Sequence, residues 1–209
     1  MKKYMDKYKK KLKINNNLFV FLLVLVIIGI ITGAIFSSIL DIGDKKMILK
    51  YLNDFFVNIK NDNISYNDSL LNTLLFTVGF AILIWILGLS VIGFFLVIFL
   101  LFLKSFILGF TVGSLVLNFK IKGIIIAFIY CFPHQVINLL IFMLICSYAL
   151  IVSFKIIRCF NGKKDLDFKT IINKYLIVIL FSIIILIITS LYENYLMPYF
   201  LKILFALLK

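Results

Sequence analysis

The sequence predicts an all-α, polytopic integral membrane protein with five transmembrane helices. Its N-terminus is cytoplasmic, its C-terminus outside, and a Pro-interrupted or re-entrant segment precedes the fourth span. Three observations carry this prediction. Apolar residues make up 64% of the 209 positions and charged residues only 15%, a surplus that a soluble domain would expose as aggregating patches. Several apolar runs exceed the roughly 18 residues that cross hydrocarbon. The net charge of +13 is placed at the ends of those runs, where basic residues orient helices and meet anionic lipid. Membrane lipid, and not nucleic acid, is the expected partner of that charge. No loop is long enough for a separate soluble domain, so residues 18–209 read as one membrane-embedded helical domain behind a basic cytoplasmic tail, 1–17.

The tail carries seven lysines and one acid, Asp6. The apolar run after it, 18–40, has 23 residues, longer than the roughly 7–15 of a signal-peptide core, and lacks a small-x-small cleavage site. It is read as a retained first span. Residues 41–69 form an external segment in which Ile48, Leu52, Phe55, Phe56 and Ile59 recur at near-helical spacing. That pattern predicts an amphipathic helix around 44–60. It lies on the outer leaflet or offers a docking face to an extracytoplasmic partner.

From Leu70 to Leu117 the sole charge is Lys104. One helix of that length would measure roughly 72 Å, more than twice the hydrocarbon thickness, so the run must fold back. Gly88 and Gly93 mark the turn, which gives spans of 70–88 and 93–117. A short turn over Asn118–Gly123 leads to another long run, Ile124–Phe154, which Pro133 interrupts. Proline belongs in the first turn of a helix or at a kink. The run therefore divides into a short interfacial or re-entrant piece, 124–132, and a fourth span, 133–154. Non-helical backbone at membrane depth requires a protein enclosure, which places Pro133, His134, Gln135 and Asn138 inside the bundle. A second basic loop, 155–174, turns at Asn161-Gly162. The last span, 175–192, is expected to end at Glu193, Met197 and Pro198. With five spans the cytoplasmic segments hold thirteen basic and three acidic residues and the external ones eight and six, with Lys104 set apart. That asymmetry obeys the positive-inside rule.

Several of these residues also resemble a known family. The run Trp85-Ile86-Leu87-Gly88-Leu89-Ser90-Val91-Ile92-Gly93 is similar to the turn between the second and third spans of the stage II sporulation protein M family. Phe102 to Gly113 resembles that family's Lys-Gly-x-x-x-Gly-Phe-Thr-x-Gly stretch, with Ser105 in place of a glycine. Lys122-Gly123, Pro133-His134-Gln135 and Glu193-Asn194-Tyr195-Leu196-Met197-Pro198 resemble its later motifs. Phe94 stands where a proline is common, and Asn138 where wider relatives carry an acid, so no ion-handling role transfers to that position. The resemblance covers nearly the whole chain. It implies a non-enzymatic scaffold of endospore engulfment in the septal membrane between mother cell and forespore. There it would hold septal peptidoglycan hydrolases so that the septal wall is thinned and the membrane migrates.

The residues themselves give a narrower reading. Gly109 and Gly113 form Gly-x-x-x-Gly, which permits close backbone approach to a neighbouring helix of the same chain, or to a second copy. The oligomeric state is left open. Lys104 is either satisfied locally or a latch against Gln135 or Asn138. His134, the single histidine, and the spacing of Cys131, Cys146 and Cys159 make no metal pattern. Glu193 caps the last span or faces the outer interface. No hydrolase, P-loop or paired-carboxylate motif is present, so no catalytic residue and no cofactor is expected. The rival to a scaffold is a small transporter or channel subunit with a path lined by Lys104, His134, Gln135 and Asn138.

Overall fold

A computed structural model of the chain describes residues 16–61, 66–160 and 168–207. Most of the basic tail and the Asn161-Gly162 turn lie outside them. Seven α-helices follow in order: α1 Asn16–Ile39, α2 Ile42–Lys60, α3 Tyr66–Gly88, α4 Gly93–Cys131, α5 His134–Phe160, α6 Phe168–Leu191 and α7 Met197–Leu207. A five-residue π-helical turn, Tyr192–Leu196, joins α6 to α7. No strand occurs among the described residues. Five helical runs have the length and apolarity to cross a membrane: Asn17–Ile39, Ser69–Gly88, Gly93–Cys131, His134–Cys159 and Ile171–Ala206. An α-helix satisfies its own backbone groups, which is what hydrocarbon demands, and apolar side chains then cover it from lipid.

The α5 run is 67% buried against 17–28% for the other four. It is the central helix, with α1, α3, α4 and α6 packed around it. Leu22, Ile84, Leu101, Phe142, Ile145, Leu150 and Leu186 fill the main core along its length. A smaller second core lies around α2 and α7 and is built from Phe56, Ile59, Leu115, Ile126, Ala127, Met197, Leu201 and Leu204.

Four boundaries differ from the sequence expectation. The turn expected over Asn118–Gly123 is a single residue. Asn118 donates its side-chain amide to the Ser114 carbonyl at 2.8 Å and stays helical. Only Lys120 departs, at φ 52° and ψ −127°, a conformation that costs a non-glycine residue on the order of 1–3 kcal/mol. The reversal folds the second limb of α4, 121–131, against the first, 93–119. A Cβ at Gly123 would meet the backbone of Leu115 and Val116. The helix then breaks at Phe132–Pro133 and α5 starts at His134. Span four runs on to Phe160 instead of ending near 154.

The last span begins earlier than Tyr175, at Phe168, and does not end at Glu193. The π turn carries it through, with the Met197 N–H bonded to the Tyr192 carbonyl five residues back. Pro198 lacks an N–H and would clash with the carbonyl four residues before it in a regular helix. A widened turn just ahead of that proline accommodates it.

The turn between α3 and α4 is held from outside. Ser153 on α5 donates its hydroxyl to the carbonyls of Gly88 at 3.1 Å and Ser90 at 2.7 Å. Tyr175 on α6 donates to the Trp85 carbonyl at 2.9 Å. A side chain at Gly88 would strike Ala149 and the Tyr175 hydroxyl, and one at Gly93 the Leu87 carbonyl. Both glycines that marked this turn in the sequence are required by close approach.

Candidate functional site

Two features of the bundle concentrate the residues singled out by the sequence. The first is the seam between α1 and α4, the most extensive helix pair. Gly109 faces the Ile30 carbonyl, Gly113 faces Ala34 and Ser37, Gly33 faces the Phe106 backbone and Gly29 faces Ser105. Numbers rise together on the two helices, so α1 and α4 run parallel. The Gly-x-x-x-Gly pair of α4 meets a matching pair, Gly29 and Gly33, on a helix of the same chain. That partner pattern was visible in α1 and was not singled out by sequence reasoning.

The second feature is a polar cluster halfway along the first limb of α4. The Lys104 ammonium lies 5.5 Å from the Phe80 ring centre and 5.4 Å from that of Phe142. Both are within cation–π range. It lines a cavity of about 60 Å³ with Leu108, Gln135, Asn138, Leu139 and Glu193. The helical period puts His134 and Asn138 on one face of α5, a turn apart. The Asn138 carbonyl oxygen accepts the Thr189 hydroxyl of α6. Glu193 arrives from the π turn, its Oε2 3.8 Å from His134 Nε2. His134 itself is 1% exposed and sits between the rings of Tyr130 and Tyr192 at 6.2 and 6.0 Å. Neither of its ring nitrogens has a hydrogen-bond partner among the described residues.

A larger cavity of about 290 Å³ adjoins this cluster at the α2 end of the bundle. Phe55, Asn58 and Ile59 of α2, Ser69 and Thr73 of α3, Tyr130, and Glu193 and Asn194 of the π turn line it, with Met197 and Pro198. Asn194 is fixed there: its amide donates to the Ser190 carbonyl at 2.9 Å and its oxygen accepts the Ser69 hydroxyl at 2.7 Å. Sequence reasoning missed Ser69, Thr189 and Asn194. Each lies at or near the end of an apolar run among other polar residues, where nothing in the residue order says which of them turns inward.

The structure therefore brings together Lys104, Gln135, Asn138 and Glu193, with His134 against Glu193. It holds Gly88 and Gly93 at a separate turn and Gly109 and Gly113 in the α1 seam. Pro133 ends the second limb beside the cluster. The stripe expected to dock a partner divides. Phe56 and Ile59 are buried in the second core and Leu52 packs against it, while Phe55 is exposed and Ile48 half-buried. Phe56 and Ile59 are thus occupied by the protein's own fold. Cys131 and Cys146 are buried free thiols, and Cys159 is an exposed one.

A five-run apolar helical bundle, glycine-sealed and with ionisable groups turned inward, defines a polytopic membrane protein. Its family follows from comparison with known families. The chain belongs to the Stage II sporulation protein M family, whose model matches residues 21–198, and it is a sporulation-related membrane protein. No curated protein and no solved structure matches it.

Proposed function

We propose that this chain is a non-catalytic scaffold of endospore engulfment. In this reading it sits in the septal membrane of the mother cell and holds peptidoglycan-degrading proteins there, so that the septal wall is thinned and the membrane migrates. Family membership supports the biological setting. The structural observation that carries the scaffold reading is the second core. It fastens α2, the second limb of α4 and α7 into one layer, which leaves Met47, Tyr51 and Phe55 exposed on α2 and Tyr199, Phe200 and Ile203 exposed on α7. That layer is a rigid platform for extracytoplasmic partners, and the second limb of α4 is its re-entrant piece. Lys104 acts as the latch that keeps α4, α5 and the π turn in register beneath it.

Affinity purification of the full chain from sporulating cells tests the proposal. Co-recovery of septal peptidoglycan hydrolases is expected, and Lys104→Leu is expected to lower it while membrane insertion stays intact. Purification without any such hydrolase sinks the scaffold. The transporter reading draws on the cavity between Lys104, Gln135 and Asn138. Solute flux in proteoliposomes holding this protein alone would favour that reading instead.

A further inference from the structure

The two cavities meet at one side chain. Glu193 lines the outer space and the inner one, and it is 24% exposed. The inner space, about 60 Å³, exceeds the roughly 10–15 Å³ that a cavity needs to hold a water. Its walls supply the two to four polar partners that a buried water needs: the Lys104 ammonium, the side-chain amides of Gln135 and Asn138, and the Glu193 carboxylate. Lys104 and Glu193 share this space without closing to salt-bridge distance. Opposite charges that line one enclosed space without pairing would be costly if that space were dry. Beside them, both ring nitrogens of His134 lack a protein partner among the described residues, although buried polar atoms are almost always satisfied.

We propose that the two cavities form one hydrated inlet, a binding site for a file of ordered water, which opens at the α2 end of the bundle, passes Glu193 and stops at Lys104. The polar lining does not continue past that lysine. Phe142 lies against the ammonium. Val97, Leu101, Ile145, Cys146 and Ala149 are buried beyond it, with the Cys146 thiol against the Val97 carbonyl at 3.9 Å. The inlet is therefore one-sided and is not a through path. It explains how a charge midway along a membrane helix is tolerated, since such residues otherwise face water or protein partners. It also leaves Lys104 and Glu193 answerable to one aqueous compartment alone. This inference does not depend on the scaffold reading and survives its failure.

The test is made on the full chain in membrane vesicles of both orientations, with Cys131, Cys146 and Cys159 replaced by alanine. Leu108→Cys lines the inner cavity and Leu101→Cys lies two helical turns further in. Silver ion is the probe, being water-sized and thiol-reactive, and protection from later maleimide labelling is the readout. Protection of Leu108→Cys at least tenfold faster than Leu101→Cys is expected, and only with silver added at the α2 side. Equal rates, protection from the opposite side, or none at all would overturn the inlet. Should the alanine background fail to fold, hydroxyl-radical footprinting of the unaltered chain in nanodiscs decides the question. Leu108 and Leu139 are then expected to be oxidised several-fold more than Leu101 and Leu150, and equal oxidation of the four refutes the proposal.

Discussion

The α-carbon of Gly109 lies so close to Ile30 that a methyl group placed on it would fall onto the Ile30 carbonyl oxygen. The obstacle is backbone, which cannot swing aside as a side chain can. Lipid gives helices no hydrophobic reason to associate, so close packing of small residues carries the contact. Gly79 is a useful contrast. It too is inside a membrane-length helix, yet a methyl there meets nothing within 4 Å. Gly109→Ala is expected to destabilise the protein by about 1–3 kcal/mol, the usual cost of overpacking. Gly79→Ala is expected to be neutral or to stabilise by up to about 1 kcal/mol, from the lower helix propensity of glycine. Denaturant unfolding in detergent micelles measures both. Equal effects of the two substitutions would rule out the parallel α1–α4 seam.

The bond from Thr189 to Asn138 joins α6 to the central helix inside the polar cluster. Interhelical hydrogen bonds of this kind are worth about 0.6 kcal/mol on average and up to about 1.7. A double-mutant cycle of Thr189→Val and Asn138→Leu should return a coupling in that range. Additive losses would show that the two side chains do not act on each other.

Much of the fold was legible from residue order because hydrocarbon is a demanding solvent. Run length set the number of spans, and Gly88 and Gly93 located the first hairpin. Pro133 divided the fourth run where it breaks. Lys104, Gln135 and Asn138 could be picked out individually, since polar groups in apolar runs must face inward; Glu193 was expected to cap the last span or face the outer interface, and the structure instead places it beside them. Less legible was anything decided by the backbone alone. Lys120 carries no turn signal of its own, and a reversal in one residue leaves a single strained φ in place of a polar loop. The π turn hides in the same way: Glu193 and Pro198 read as a helix end, whereas an extra residue per turn lets the helix absorb the proline. The α2 stripe was recognised by its period, but period does not say whether a face meets lipid, a partner or the chain's own α7.

That last ambiguity has a direct test. Phe56 is buried against the rings of Phe119 at 5.5 Å and Phe205 at 5.2 Å, whereas its neighbour Phe55 is exposed. Phe56→Ala is expected to cost about 3–5 kcal/mol, as for other buried aromatic truncations. Phe55→Ala should cost less than about 1 kcal/mol and, if the platform docks partners, lower hydrolase recovery without lowering stability. Equal losses of stability from the two alanines would mean that α2 is not seated on the second core as described.

The orientation of the bundle is predicted by where its basic residues gather. Because α1 and α4 are parallel, the start of α1 lies at the same end as the Gly88–Gly93 turn. Ser153 and Tyr175, bonded to the α3 end, bring the end of α5 and the start of α6 there too. This end collects Lys155, Arg158 and Lys174, and the sequence before α1 holds seven more lysines. Such an excess is retained on the cytoplasmic side during insertion. That rule predicts that the α2 layer and the mouth of the outer cavity face the opposite compartment. A reporter fused ahead of Met1 is expected to be active only in the cytoplasm, and one fused after Lys209 only outside it. Two reporters on the same side would require an even number of crossings. The run Ile171–Ala206 would then have to cross and return, or the second limb of α4 would have to span the membrane fully.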